Sequence, residues 1–394
     1  MKILIVSQYY YPEQFQINEI APELVRRGHD VTVLTGLPNY PKGETYPGYG
    51  VGEENINGVR VIRTKLHPRK SGALHLGWNY ISFVYHAGKA AKKLQEKYDI
   101  VLAYQLSPVT VIQPAIVYKK KYSIPLLVYC LDIWPESAQA HVKSDKGLLY
   151  SYISKLSMKL YQQCDHIAVT SRPFIDYHRR VNHIHPDKMS YLPQHADDTY
   201  LTMDLTAPDN GIADFMYAGN LGQGQRVDVI LKAAAEIREK QFVLHIVGDG
   251  SVRQELENLC DELGLKEKTF FYGNQKREDM PDFYKKADAL LITLRGNNFV
   301  GNTMPGKLQT YMTCGKPIFG AINGAAMETI ELAQCGTCVE AENHVGLARI
   351  MSDFIEHPEN YTACGRNARV YFQKHFTLNQ HIKLLEKTME EMTK

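Results

Sequence analysis

A chain of 394 residues, 44% hydrophobic and 22% charged, is long enough for two domains of ordinary size and too long for one small fold. Gly and Pro are spread along it with no low-complexity tract or internal repeat, which excludes a disordered or solenoid protein. The net charge of +2 hides an asymmetry, because residues 1–200 carry 24 Lys+Arg against 17 Asp+Glu and residues 201–394 carry 21 against 26; the basic N-terminal half suits a phospholipid face, a lipid diphosphate or nucleic acid, or is simply a solvated surface.

The opening MKILIVSQYYYPEQ has one lysine and too short an apolar run for a secretory leader. No later stretch approaches the ~18 apolar residues of a spanning helix, so the chain is expected in the cytoplasm. Ile3 to Val6 reads as a strand, Asn18 to Arg27 as an amphipathic helix and Val31 to Thr35 as the next strand. Ile100 to Ala103 and Leu126 to Cys130 continue the rhythm. Such repetition gives a parallel sheet with helices on both faces, whose ligands bind beyond the carboxyl ends of the strands. The first of those loops offers Gln8, Tyr9, Glu13 and Gln14, which suit a sugar but are also ordinary loop residues.

Residues 67–97 combine Trp78, Tyr80, Phe83 and Tyr85 with Arg69, Lys70, Lys89, Lys92 and Lys93. That is the pattern of a helix lying in a membrane interface, or of a core helix with a solvated basic end; Lys119 to Lys121 favours the membrane. Asp132, in LDIWPES after the strand ending at Cys130, places a carboxylate where it can orient or deprotonate a hydroxyl, or else cap the segment that follows.

Periodicity is lost over 193–212, where LPQHADDTYLTMDLTAPDNG gathers Pro, Asp and Gly, and a second doubly wound unit begins after it. Phe215 to Tyr217 leads into the loop Gly219 to Arg226 and a helix from Val227 to about Lys240; Phe242 to Val247 follows, then Gly248-Asp249-Gly250, with Ser251 a candidate cap for the next helix. The glycines of 219–226 permit close backbone approach to a diphosphate, and Arg226 adds a cation able to grip phosphate, or is an exposed first-turn residue. Thr269 to Tyr272 ends in Gly273-Asn274-Gln275, where bare backbone can read a base edge.

The most informative run is MPGKLQTYMTCGKPIFGAING. Met304, Pro305 and Gly306 close a loop, Lys307 follows at the start of a helix through Leu308 and Thr310, Gly315 stops it, and Pro317 precedes an apolar strand. A lysine beside free N–H groups at the positive end of a helix is what a phosphate needs. Seven cysteines at irregular positions fit reduced thiols, and the Cys335/Cys338 pair lacks a second ligand pair for zinc.

Taken in order, RRGHDVTVLTGLPNYPKGETYPGY, LDIWPES, FMYAGNLGQGQ, LHIVGDGSVRQELE, MPDFYKKADALLITL and PGKLQTYMTCGKPI resemble the retaining glycosyltransferases of family four. PNYPKG with DIWPES points to the branch building bacterial O-antigen and capsule units, including N-acetylfucosamine transferases. The resemblance implies a GT-B fold, two doubly wound parallel-sheet Rossmann-like domains facing a central cleft: 1–198 for the acceptor, joined by the last helix 376–394, and 199–375 for the donor. It places Asn220, Gln225 and Lys307 at the donor diphosphate and sugar and Gly273 to Gln275 at the base. The remaining donor contacts fall on Gly219, Gly222, Arg226, Gly248, Asp249, Met304, Pro305, Gly306, Leu308 and Thr310. Asp132 joins Lys307 and Asn220 as catalytic, and Gln8, Tyr9, Glu13, Gln14 and Glu136 face the acceptor.

It further implies a UDP-sugar, commonly an N-acetylated deoxyamino hexose, a polyprenyl-diphosphate-linked saccharide as acceptor, no metal or other cofactor, and no nucleic acid. The basic, aromatic 67–97 segment would then rest on the anionic inner face of the plasma membrane. One departure stands out: where the family has two glutamates eight positions apart, this chain has Asn302 and Thr310. A UDP-sugar 2-epimerase of the same architecture, or a non-catalytic scaffold, are the alternatives.

Overall fold

A computed structural model describes residues 1–41, 43–70, 72–137, 147–208, 210–296 and 304–394. Lys42 of PNYPKG and Asn302 lie outside the described residues. Contacts divide the chain into two units, Met1–Gln194 with His381–Lys394, and His195–Gln380.

In the first unit β1 (Lys2–Val6), α1 (Ile17–Arg26), β2 (Asp30–Gly36), β3 (Gly52–Ile56), β4 (Val59–Thr64), α2 (Ala73–Lys93), β5 (Ile100–Gln105), α3 (Ile112–Tyr122), β6 (Leu126–Cys130), α4 (Leu148–Tyr161), β7 (His166–Val169), α5 (Pro173–Val181) and β8 (Met189–Tyr191) succeed one another. The strands lie in the order β3-β4-β2-β1-β5-β6-β7-β8. Val6 pairs with both Leu34 and Ala103, so β1 is central, and Ile3 to Val6 are fully buried, as strands covered on both faces must be. The pure parallel sheet expected here carries an antiparallel edge: β3 and β4 form a hairpin with Ile56 opposite Val59. Its two-residue turn is Asn57-Gly58, both at positive φ, a hairpin signal present in the sequence and not used.

The second unit runs β9 (Ala213–Ala218), α6 (Val227–Glu236), β10 (Phe242–Val247), α7 (Arg253–Glu262), β11 (Thr269–Gly273), α8 (Met280–Lys286), β12 (Ala289–Thr293), α9 (Gly306–Cys314), β13 (Ile318–Ala321), α10 (Ala325–Ala333), β14 (Gly336–Val339), α11 (His344–Glu356) and α12 (Cys364–His375). Its sheet is parallel in the order β11-β10-β9-β12-β13-β14. Alternation along β9 builds two cores: Phe215 and Tyr217 pack with Ile230 and Leu347, whereas Met216 and Ala218 pack with Leu308 and Tyr311. Helix α6 stops at Glu236, short of the expected Lys240.

The final helix, α13 (Leu378–Thr393), packs in the first unit from His381 onward. Ile382, Leu385 and Met389 are fully buried, and Glu386 pairs with Arg27 and His29 at 2.8 and 3.0 Å. The lysine cluster 119–121 is used locally: Lys119 holds Asp165, Lys120 holds Gln163, and Lys121 caps the carbonyls of Lys92 and Leu94. These ammoniums lie at the surface and are shared with the protein's own acceptors.

Candidate active site

In the second unit the strand order reverses between β9 and β12, the switch point at which a doubly wound sheet opens a crevice. The loop after β9 and the start of α9 meet there. Lys307 Nζ lies 3.6 Å from the centroid of the Tyr217 ring and 3.0 Å from Gln225 Oε1, to which it donates. Both partners are neutral, and among the described residues no carboxylate pairs with it. Burial brings its pKa down to about 7. Tyr217 Oη donates to the Asn220 carbonyl at 2.8 Å and Thr293 Oγ1 to that of Gln225 at 2.7 Å, fixing the loop around the ammonium.

Glycines let these pieces approach. A Cβ on Gly219 would stand 2.6 Å from Lys307 Cε, and one on Gly248 1.9 Å from the Gly219 carbonyl oxygen. Gly248 N–H donates to Gly273 O and Leu221 N–H to Asp249 O, so the ends of β9, β10 and β11 are laced side by side. Helix α9 starts at Pro305 with no side-chain cap, and nothing lies within 4 Å of the Cβ position of Gly306. Leu308 N–H turns back to the Pro305 carbonyl at 2.9 Å, and among the described residues nothing else caps this first turn beside the Lys307 cation, an arrangement an anion completes.

The other donor residues divide. Asn220 is exposed on the loop, Gly222 precedes the short turn of Gln223–Gln225, and Asn274 is exposed beyond β11. Gln275 instead donates to Tyr272 O at 2.7 Å, and Asp249 turns back onto the Gly250 N–H. Leu308 is fully buried and Met304 packs on the same core, so both offer backbone alone. Thr310 Oγ1 donates to Gly306 O at 3.3 Å within its own helix.

Arg226 is held by Asp228 at 2.9 Å and Glu342 at 2.6 Å, so its charge is shared with two carboxylates. Its partners lie two residues away and across a distant loop, and only the first was adjacent in sequence. Ser251 caps nothing: α7 begins after Val252 with no side-chain cap.

In the first unit Asp132 follows β6 and is half-buried. Ser107 Oγ donates to its Oδ2 at 2.7 Å and itself accepts from Trp134 Nε1 at 3.2 Å, while Gln105 Nε2 donates to the Asp132 carbonyl at 2.9 Å. The carboxylate is thereby oriented through Oδ2, and among the described residues no donor takes Oδ1. Glu136 is partly buried, accepts from Tyr150 Oη at 3.1 Å, and has its pKa raised by burial.

Glu13, expected at the acceptor, is buried and braces the loop around it. Its carboxylate takes the N–H groups of Asn39, Tyr40 and Tyr10 at 2.8, 2.7 and 3.3 Å, and burial pushes its pKa up to about 7. Gln8 is likewise buried, donating to Asn79 Oδ1 at 2.7 Å, and the Tyr9 hydroxyl meets Arg69 at 3.4 Å. Gln14 is exposed. Asn79 and Ser107, which the sequence did not mark, hold Gln8 and Asp132. Tyr80 is raised above the usual phenol range chiefly by burial and also feels Arg69 and Asp132.

The family model described as Glycosyl transferases group 1 matches residues 206–371, and that described as Glycosyltransferase Family 4 matches 15–199. The putative colanic acid biosynthesis glycosyl transferase WcaI of Escherichia coli is 24% identical over 97% of this chain and 99% of its own length. An uncharacterized glycosyltransferase of Methanocaldococcus jannaschii is 25% identical over 90% of each. Among solved structures, Anabaena HepE in complex with UDP superposes with a TM-score of 0.70 at 16% identity, covering 99% of this chain and all of the other. The lipopolysaccharide outer core galactosyltransferase WaaB gives 0.72 at 15%, covering 99% of each.

Proposed function

We propose, from the premise that this chain is a glycosyltransferase of the group 1 family with the GT-B fold, that it moves a sugar from a UDP donor to a polyprenyl-diphosphate-linked saccharide with retention at the anomeric carbon. The observation carrying the donor half is Lys307, a cation with neutral partners at the uncapped start of α9 beside the glycine loop of β9. UDP in the HepE structure supports the choice of nucleotide, and the name of the E. coli relative supports a place in surface-polysaccharide synthesis, as capsule or O-antigen units. An N-acetylated deoxyamino hexose, such as N-acetylfucosamine, is the sugar we assign.

In this reading the acceptor oxygen forms its bond to the anomeric carbon as the bond to the β-phosphate oxygen breaks. Lys307, the N–H groups of α9 and the 219–225 loop take up charge on the departing diphosphate, so the step needs no metal. No enzymic nucleophile is assigned; attack comes from the face the diphosphate leaves. Asp132, held by Ser107, orients the acceptor hydroxyl and receives its proton.

The long helix α2 supports a peripheral membrane position on the cytoplasmic side. Leu74, Trp78, Ile81 and Tyr85 form an exposed stripe at helical spacing, 82% and 60% exposed at the first two, and Lys89, Lys92 and Lys93 follow. Among the described residues no helix is long and apolar enough to cross a membrane.

The test is a thermal-shift screen of UDP-, GDP- and dTDP-sugars followed by product NMR with a polyprenyl-diphosphate saccharide. A UDP-sugar that stabilises the protein and yields a product of unchanged anomeric configuration is expected. Turnover without acceptor would indicate a 2-epimerase instead, and no UDP binding at millimolar concentration a scaffold.

A further inference from the structure

At the opposite end of α9 from Lys307 lies a cavity of about 420 Å³, lined by Cys314, Lys316, Thr362, Arg366 and Arg369 with Asp288. Lys316 is 6% exposed and its ammonium donates to one carbonyl, that of Ala287 at 2.5 Å. Arg369 spends its donors on carbonyls too, those of Thr313, Cys314 and Met203 at 3.0–3.2 Å. Arg366 is exposed and, among the described residues, pairs with no carboxylate. Asp288 is the carboxylate that Lys316 feels most, and it also accepts the Asp214 N–H at 2.9 Å. Asp204 is felt by Lys316 more weakly and accepts the Thr206 hydroxyl and N–H at 2.7 and 3.0 Å.

Two helix ends also meet here. A Cβ on Gly365, in the first turn of α12, would stand 2.1 Å from the Gly315 carbonyl oxygen that closes α9. Helix α12 starts with no side-chain cap, its first turn packs on the end of α9, and Thr362, Gly365 and Arg366 stand along the cavity wall. The hydrogen bonds absorb donor and acceptor capacity without neutralising charge, which leaves the cations Lys316, Arg366 and Arg369 against the carboxylates Asp288 and Asp204 around a space several times the size of a water molecule.

We propose that this cavity is a second anion site, distinct from the donor site, that takes a phosphate monoester group. Lys316 and the first turn of α12 form its floor, and Arg366 is the gripping side chain at its mouth. Because Arg369 holds the last carbonyls of α9, an anion that draws on Arg369 acts on the helix whose other end carries Lys307. This inference does not depend on the nature of the donor.

The probe is inorganic phosphate, read as a thermal shift on the full chain against chloride of equal ionic strength. The expected result is a rise of a few degrees at 10–50 mM phosphate in K307M, whose donor-site cation is gone, and its loss in K307M/R366E and in K307M/K316Q. Arg366 is exposed and, among the described residues, pairs with no carboxylate, so K307M/R366E keeps the test open if K307M/K316Q does not fold. A shift that is absent from K307M, or that persists in K307M/R366E, would overturn the site.

Discussion

Lys307 carries the account at the scale of single residues. With a pKa near 7 it is about half charged at neutral pH in the free protein, and an anionic diphosphate binds the charged form. UDP affinity should therefore fall as pH rises above 7, by up to roughly tenfold per unit, while UDP itself stays fully ionised. Lys307→Arg, charged throughout, should flatten that profile in a titration series from pH 6.5 to 9; an unchanged slope would remove Lys307 from the site. The same shift has a folding consequence. The unfolded chain, with an ordinary lysine pKa near 10.5, binds more protons between about 7 and 10.5, so this residue costs stability that is regained as pH rises through that window. Lys307→Met should accordingly raise Tm at pH 7, with the gain vanishing towards pH 10.5 in melting curves. The lysine was legible because a glycine, a proline and a helix start announce it locally. Arg226 and Glu13 were not, since what pairs with one and buries the other arrives from Glu342 and from Asn39 and Tyr40, distant in sequence.

Among elements, the strand-to-helix loops were readable from glycine positions, and the structure gives those glycines a steric reason. Gly248→Ala should displace the Gly219 carbonyl and open the donor loop, seen as at least a tenfold loss of UDP affinity with β10 still folded by circular dichroism; retained affinity would mean that the loop does not form the site. Helix α13 makes the complementary case. Its amphipathic pattern was visible, and Leu385, fully buried, should cost about 2–5 kcal/mol when cut to Ala, measured by denaturant unfolding. The apolar stripe of α2 faces solvent, so Trp78→Glu with Ile81→Glu should leave Tm within a few degrees yet abolish sedimentation with anionic liposomes. Wild-type protein that stays in the supernatant would retire the membrane surface. The β3–β4 hairpin was missed for a definite reason: Glu53, Glu54 and Asn55 give β3 almost no apolar signal, because an edge strand can face water.

For the molecule as a whole, two tandem rounds of strand and helix carried the architecture, since each buried parallel strand leaves a continuous apolar run that composition cannot disguise. The proposed chemistry draws on both units, an oriented carboxylate in the first and an ammonium with neutral partners in the second, and it rests chiefly on the second. Calorimetric titration of UDP into wild type and Lys307→Met at pH 6.5, where the lysine is mostly charged, addresses it directly. Loss of one charge-assisted contact of about 2 kcal/mol predicts roughly thirtyfold weaker binding in the variant, with folding intact. Equal affinity in the two proteins would contradict the account.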